Sequence, residues 1–205
     1  MAETLTMKKL QEQINALREE VAFLKGNAKN TRLIPSGLKI GDTFELVDLT
    51  WTILDITDEG YKCLADKLED NMKFDAKSND WKTSSLREYL NSVFYKKLAD
   101  TIGESNIIPF ESDLTSLDGQ TEYASCEDKT SLLGIDEYRT YRKHIPNANY
   151  WWWLISPYST PCNGYKESVA VVSSSGDIDW DCCNSIGRGV RPFCIFSSSI
   201  FESEE

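Results

Sequence analysis

The N-terminal part of the chain carries apolar side chains at alternating intervals of three and four residues. The heptad a positions hold Met7, Ile14 and Val21, and the d positions hold Leu10, Leu17 and Leu24. Because the opposite face is polar, this narrow stripe predicts a coiled-coil helix over residues 1–25, with homo-oligomer contacts through residues 7–24. A single amphipathic helix packed on its own domain is the alternative. Gly26 can end the helix, and residues 26–32 are predicted to form a polar linker.

The pattern changes to that of short β-strands in residues 38–64. Two strands are predicted around Phe44 and Ile53, with a turn near residues 48–50. A further strand is predicted over Tyr61–Ala65, after a turn at residues 58–60.

Two helices are predicted from apolar residues three and four positions apart. The first begins at Ser84 or Ser85, either of which can cap it. Its predicted apolar face consists of Leu86, Leu90, Val93, Phe94 and Leu98. The second covers residues 136–142, and residues 102–127 are expected to be mainly polar loop.

The last third of the chain combines short apolar runs with long polar segments. Residues 150–155, 169–172 and 193–196 predict buried strands, whereas the segments between them show little periodicity. Strands and helices in this mixture predict an α+β domain over residues 33–200 that presents polar loops on a buried scaffold.

Composition and charge narrow the classes of function. The chain has 205 residues and a formal net charge of −11, so it lacks long-range attraction for nucleic-acid phosphates, and we expect no nucleic-acid partner. The N-terminus lacks the apolar segment of a secretory signal, and no apolar run approaches the roughly 20 residues of a membrane span. We therefore expect a soluble protein synthesised in the cytoplasm, and display on a phage virion or cell surface stays open.

Groups that could carry out catalysis are few. The single histidine, His144, lies at a predicted helix end, where a favourable interaction with the helix dipole explains it without catalysis. The sequence contains no nucleophile elbow and no glycine-rich phosphate loop. These features favour a protein that is not an enzyme.

Metal sites are weakly indicated. The alternating Asp177, Asp179 and Asp181 would share one face of a strand and could hold calcium, although they do not fit an EF-hand loop. The vicinal Cys182 and Cys183 lack the two-residue spacing of structural zinc sites. We expect no resident metal and no cofactor, with calcium kept as an alternative.

Residues 158–184 mix aromatic with small polar side chains. Tyr158, Tyr165 and Trp180 are interleaved with Ser, Gly and Asn, a composition typical of antibody-like binding surfaces. An ordinary polar loop is the alternative, but it would not need the aromatic residues. We expect these three to be the anchors of a binding surface. The predicted polar contacts are Asn163, Asp179 and Asp181.

Ordered motifs along the chain carry a family resemblance. They are Ser-Leu-Arg-Glu-Tyr-Leu-Asn at 85–91, Trp-Trp-Trp-Leu-Ile-Ser-Pro at 151–157 and Gly-Val-Arg-Pro-Phe at 189–193. Over about residues 38–196 the chain resembles prokaryotic and phage domains with a C-type-lectin-like, or formylglycine-generating-enzyme-like, fold. Such a resemblance is specific for fold and much less so for function.

Many of these domains resemble the variable proteins of diversity-generating retroelements, in which reverse transcription randomises template adenines, often in Asn codons. The resemblance implies a variable, solvent-facing surface at about residues 155–186, between two fixed strands. The expected ligand-binding positions are Ile155, Tyr158, Thr160, Cys162, Asn163, Tyr165, Asp179, Trp180, Asp181, Cys182, Cys183 and Asn184. Every residue type among these positions except Trp can arise from an Asn codon that ends in C through changes at its two adenines, so Trp180 would be fixed or come from another codon. Ile155 stands where family members often carry Arg.

The leading hypothesis is therefore a non-enzymatic, receptor- or adhesion-type protein whose diversified surface binds a protein or glycan. The first alternative is a calcium-dependent carbohydrate-binding lectin that uses the three aspartates. The second is an oxidoreductase of the formylglycine-generating type, which would need a reactive cysteine pair such as Cys183 and Cys194 around copper.

Overall fold

The computed structural model describes residues 34–68 and 72–201 of the chain. The predicted coiled coil at residues 7–24 and the linker at residues 26–32 lie outside these ranges. The described part is a mixed α+β structure, richer in strands than in helices, and this confirms the predicted class. No helix within it is long and apolar enough to cross a membrane.

A five-stranded sheet forms the centre of the described part. Its spatial order is β1-β2-β3-β10-β4. These strands are β1 (Thr43–Leu46), β2 (Leu49–Ile56), β3 (Tyr61–Ala65), β4 (Ile107–Ile108) and β10 (Phe193–Phe196).

The first hairpin turns earlier than predicted. Its two loop residues are Val47 and Asp48, both with positive φ, at 50° and 63°. The prediction of residues 48–50 was wrong because a β-branched residue such as Val47 rarely adopts positive φ, so composition does not mark it as a turn.

Both faces of the central sheet are buried. Along β10, Cys194 and Phe196 point into one core cluster, whereas Phe193 and Ile195 point into a second. A strand covered on both faces is apolar throughout, which explains the uninterrupted run that predicted this strand.

One continuous helical segment covers the first core cluster. It consists of α1 (Ser85–Tyr89), a π-helical turn (Leu90–Phe94) and α2 (Tyr95–Ile102). Ser84 caps its start, as predicted, because its hydroxyl accepts the Arg87 N–H at 3.1 Å.

The π turn explains which helical side chains are buried. The buried positions recur at every fourth residue and are Leu86, Leu90, Phe94, Leu98 and Ile102. In a regular α-helix this spacing drifts by about 40° per step, and the wider π turn offsets part of the drift. Val93 was predicted on the buried face but is 61% exposed, so that prediction is wrong.

Residues 102–127 contain more structure than predicted. Besides β4, they lead into a two-stranded sheet of β5 (Phe110–Asp113) and β6 (Ser125–Asp128). These strands are short and partly exposed, so their sequence lacks the apolar run that marks a buried strand. The helix α3 (Ile135–Tyr141) follows and contributes to the second core cluster, close to the predicted range of 136–142.

A three-stranded sheet completes the fold. It consists of β7 (Trp152–Pro157), β8 (Ser168–Val172) and β9 (Ile178–Cys182), with β8 in the middle. Strand β9 was missed because its side chains are largely polar, and only its pairing with the buried β8 makes it a strand. Short 3-10 turns lie at Trp81–Thr83, Glu104–Asn106, Arg142–His144, Pro161–Asn163 and Ser198–Phe201.

A buried carboxylate ties the helical segment to the small sheet. Asp128 accepts hydrogen bonds from Trp81 Nε1 at 2.8 Å, Arg87 Nε at 2.7 Å and Ser112 Oγ at 2.7 Å. Asn91 Nδ2 donates a further bond at 3.2 Å. A buried charge is tolerated when it is paired and hydrogen-bonded in this way.

Candidate functional site

Three aromatic side chains form a cluster beside the outer strand of the three-stranded sheet. The ring centroids of Tyr158 and Tyr165 are 5.4 Å apart, and those of Tyr158 and Trp180 are 5.7 Å apart. Tyr165 and Trp180 are about half exposed, at 48% and 51%. The three residues predicted as anchors are therefore neighbours in space, and we call them the aromatic cluster.

Backbone hydrogen bonds hold the loop that carries two of these rings. The amide of Tyr158 donates to the Ser168 carbonyl at 2.9 Å, which closes the loop onto β8. The carbonyl of Thr160 accepts from Asn163 at 3.0 Å and from Tyr165 at 3.2 Å. The rings thus project from a loop with its own internal bonding.

Asn79 holds the same loop through side-chain hydrogen bonds. Its side-chain amide donates to the carbonyls of Ser159 and Ser168, both at 2.9 Å, and its oxygen accepts from the Tyr123 hydroxyl at 2.7 Å. Asn79 is completely buried, and its three bonds satisfy a polar side chain that would otherwise be costly to bury. Sequence reasoning missed this residue, because nothing local distinguishes it.

Asp118 also holds this loop, because its carboxylate bonds to two of the loop residues. Its carboxylate accepts from Ser116 Oγ, from Ser159 Oγ at 2.6 Å and from Asn163 Nδ2 at 3.0 Å. These bonds, that of Ser116 first, lower the pKa of Asp118 from 3.8 to about 2 because they favour the ionised form. Asn163, predicted as a ligand contact, is therefore already engaged within the protein.

Three of the predicted surface positions are buried, and those predictions are wrong. Ile155 is 1% exposed, and Thr160 and Cys183 are completely buried. Ile155 and Cys183 belong to the first core cluster, which explains why an aliphatic residue stands at 155. Thr160 is buried within the loop, and its carbonyl accepts the two backbone hydrogen bonds from Asn163 and Tyr165.

The remaining predicted positions are accessible to different degrees. Cys162, Asn163, Tyr165, Asp179, Trp180 and Asn184 are exposed, and Tyr158, Asp181 and Cys182 are partly buried. Asp181 is occupied, because its carboxylate pairs with Arg188 at 2.6 Å and accepts from Ser185 Oγ at 2.8 Å. Asp179 is the predicted acidic contact most open to a ligand.

The three alternating aspartates bind different neighbours. Asp177 accepts from Ser175 Oγ at 2.6 Å, Asp179 accepts from the Trp180 amide at 2.8 Å, and Asp181 is paired as described. Within residues 34–68 and 72–201, no group of three His, Cys, Asp or Glu side chains could hold a metal ion.

The cysteines are free thiols at all six positions. Burial raises the pKa of Cys183 to about 11 and that of Cys194 to about 12. A reactive cysteine needs the opposite shift, because the thiolate is the nucleophile and the metal ligand.

Two further residues follow the predicted contact positions in the sequence and were not among them. Ile186 is 70% exposed, and Arg188 lies 5.3 Å from the centre of the Trp151 ring while it pairs with Asp181. Ile186 stands at the end of the range that the sequence predicted to face solvent, and Arg188 stands just after it, so their position in the sequence was the available signal.

Comparison with known proteins places the chain in a family. Neither a curated protein nor a solved structure matches it. The family described as "Domain of unknown function (DUF6273)" matches residues 61–198, which is more than half of the 205 residues and includes the aromatic cluster. The chain therefore belongs to the DUF6273 family.

Proposed function

We propose that the protein is a non-enzymatic ligand-binding protein that recognises a protein or glycan through the surface around the aromatic cluster. The observation that carries this proposal is the contact of Tyr158 with both Tyr165 and Trp180, two rings that stay about half exposed. Burial removes aromatic surface from water, so rings left exposed together favour a binding role.

The surroundings of the cluster support recognition of a ligand. Asp179, Asn184 and Cys162 offer exposed polar atoms near it in sequence, while the rings provide rigid contact area at low entropic cost. The support beneath is well bonded, through Asn79 and Asp118. A rigid platform under exposed aromatic residues limits the entropy lost on binding.

The C-type-lectin-like fold is part of the proposal. The motif at 151–157 contains all of β7, the motif at 189–193 leads into β10, and the motif at 85–91 forms α1 and the start of the π turn. Each motif therefore occupies an element of the core, as expected of residues that define a scaffold and leave the intervening loops free to vary.

Diversification by a retroelement is the more specific proposal, and the burial of each residue limits which positions can vary. Random substitution is compatible with folding only at positions outside the core. We therefore restrict the proposed variable set to exposed or partly exposed codons and remove Ile155, Thr160 and Cys183 from it. The reduced set is Tyr158, Cys162, Asn163, Tyr165, Asp179, Asp181, Cys182 and Asn184, with Trp180 as a fixed anchor.

Sequencing the DNA that flanks the gene tests this finer proposal. A near-copy of the codons for residues 151–193, differing only where the copy carries adenine, is the expected result. The differing codons should fall in the reduced set and spare the three buried positions. If neither a near-copy nor a neighbouring reverse transcriptase is found, diversification is ruled out, while the binding proposal stands on its own.

A binding experiment tests the site itself. The full chain is applied to a glycan array and to intact bacterial cells of several species, the sources that the two proposed ligand classes imply. Trp180→Ala should abolish the signal, whereas Val93→Ala should retain it, because Val93 is also an exposed apolar side chain but lies on the helical segment. Equal binding by the two variants would contradict the assignment of the site.

A further inference from the structure

A separate cavity lies between the first hairpin and the segment before β7. Its volume is about 450 Å³, and it shares no residue with the aromatic cluster. Its polar lining includes Thr43, Thr50, Thr52, Asn149, Tyr150 and Arg191. It is large enough for a small molecule, since ligand cavities begin at about 300 Å³.

Arg191 is the buried charge of this cavity. Only 3% of the residue is exposed, and its guanidinium lies 5.1 Å from the centre of the Trp152 ring. Its Nε donates to the Ala65 carbonyl at 3.0 Å. Within the described part of the chain, its two terminal nitrogens donate no hydrogen bond, and no carboxylate forms an ion pair with it.

A buried cation without a directly paired carboxylate is energetically unfavourable. Burial lowers the pKa of Arg191 from its usual value, and the electrostatic influence of Tyr150 and Asp66 offsets only part of this effect. Stacking on Trp152 offsets part of the cost, because the ring face is electron-rich. An anion that enters the cavity and accepts from the two terminal nitrogens would offset more of it.

The sheet supplies further donors. Thr43 lies directly opposite Thr52 in the β1–β2 register, so both side chains are on one face of the sheet. Thr52 also pairs with Leu64, which belongs to the second core cluster, so the threonines continue that face beyond the core. Among the described residues, the hydroxyls of Thr43 and Thr52 have no hydrogen-bond partner.

One acidic residue limits which anions fit. Asp66 lines the cavity, is exposed, and accepts from the Tyr150 hydroxyl at 3.0 Å. The charge of Asp66 disfavours a dianion such as phosphate, but its carboxylate can accept a hydrogen bond from a ligand. The planar fork of a single guanidinium matches the two oxygens of a carboxylate.

We propose that this cavity binds the carboxylate of a small polar molecule, either an acidic sugar or a free amino acid, with Arg191 as the carboxylate receptor. Thr43 and Thr52 donate to the carboxylate or to neighbouring hydroxyls. Asp66 accepts from a hydroxyl of the sugar or from the ammonium of the amino acid. This assignment is independent of the aromatic cluster and of any partner bound there.

Isothermal titration calorimetry of the full chain tests the assignment with four probes. These are D-glucuronate, L-serine, D-glucose as the uncharged counterpart of glucuronate, and inorganic phosphate. Saturable binding of glucuronate or serine, with glucose weaker than the tighter of the two, is the expected result. Tighter binding of serine identifies Asp66 as an ammonium partner, whereas tighter binding of glucuronate identifies an acidic-sugar site.

Variants connect the binding to the cavity. Arg191→Gln should lower the affinity for the carboxylate ligand at least about tenfold, because a hydrogen bond to a charged group is lost. If that buried variant does not fold, Asn149→Asp tests the same site, because Asn149 is exposed and lines the cavity. The new negative charge should lower the affinity for the carboxylate about threefold. Ser105→Asp adds the same charge outside the cavity and should leave affinity unchanged.

Four results would overturn the proposal. One is the absence of saturable binding by glucuronate and by serine. Another is glucose binding as tightly as the tighter of these two, which would exclude recognition of charge. The third is phosphate binding more tightly than both, which would exclude a carboxylate receptor. The last is an equal effect of Asn149→Asp and Ser105→Asp, which would place the binding elsewhere.

Discussion

At the scale of single residues, Asp128 shows how one side chain can organise several elements. It joins Trp81, Arg87 and Ser112, which come from a 3-10 turn, a helix and a strand. Its own strand is short and partly exposed, so its role could not be read from periodicity. Arg87 and Asn91 belong to the helical motif that carried the family resemblance, and the structure shows that both side chains reach this carboxylate.

Replacing this carboxylate should destabilise the fold. Asp128→Asn removes the charge opposite Arg87 and part of the acceptor capacity, and we expect a loss of about 2–3 kcal/mol in the free energy of unfolding. Urea denaturation followed by circular dichroism measures it. Glu127→Gln is the matched control, because it removes the same charge from an exposed neighbour on the same strand. Equal destabilisation by the two variants would contradict the role given to Asp128.

Asp118 allows a prediction about pH. Its folded-state pKa is lowered to about 2 from an ordinary value of 3.8, chiefly by the Ser116 hydroxyl. The ionised carboxylate therefore stabilises the folded loop above the ordinary value, and this contribution is lost as the pH falls through the folded pKa. An NMR titration of the Asp118 carboxyl carbon should show the low midpoint, and Ser116→Ala should raise it.

Ser174→Ala is the control for this titration. Ser174 is an exposed serine in the turn between β8 and β9, and it is not among the residues that donate hydrogen bonds to the Asp118 carboxylate. Its substitution should leave the Asp118 midpoint where it was. A midpoint that Ser116→Ala does not move would mean that the serine hydroxyl has no influence on the carboxylate.

At the scale of elements, the helical segment shows where periodicity succeeds and where it fails. The predicted cap and four of the five predicted apolar-face residues agree with the structure. Val93 does not, because a turn of i to i+5 hydrogen bonds changes the angle between neighbours. The spacing of four between successive buried residues, longer than the α-helical period, is the sequence feature that could have indicated it.

A pair of substitutions checks the effect of the π turn. Leu90→Ala should cost about 2–5 kcal/mol in the free energy of unfolding because Leu90 is completely buried. Val93→Ala should change it by less than about 0.5 kcal/mol, since the side chain is mostly exposed. Thermal or urea unfolding of both variants measures these changes in the free energy of unfolding. A large loss for Val93→Ala would show that this side chain is buried in solution.

At the scale of the whole molecule, valency connects assembly to recognition. The heptad pattern at residues 7–24 predicts self-association, which would multiply the affinity of each single surface by avidity. Binding surfaces that rely on a few exposed aromatic rings benefit most from this effect, because each contact alone is weak.

The predicted assembly can be tested on the full chain. Leu17→Asp places a charge at a d position and should convert the oligomer to monomers in sedimentation-velocity experiments. Asn15→Asp adds the same charge at a b position, away from the seam, and should leave the oligomer intact. If the unaltered chain sediments as a monomer, the alternative of a helix packed on its own domain is favoured.

Local pattern predicted most of the architecture and the aromatic residues of the candidate site. The strand of residues 193–196, the Ser84 cap, α3 and the three aromatic residues that lie together were all predicted, since burial on both sheet faces, capping chemistry and aromatic composition are each encoded over a few neighbouring residues. Other features depend on partners that a segment's own pattern does not show. Strand β9 exists because the neighbouring β8 offers it a ladder of hydrogen bonds, and Asn79 and Asp128 bond to residues as far as 89 and 47 positions away, respectively.

Burial was likewise decided by the tertiary structure. Ile155, Thr160 and Cys183 lie within the segment predicted to be variable, yet the packing of β7 and of the supported loop turns them inward. The Arg191 cavity is a product of packing too, because it assembles a hairpin, a loop and the approach to β10. Which side chains a protein exposes is a property of all its contacts together, and neighbouring residues alone carry too little of that information.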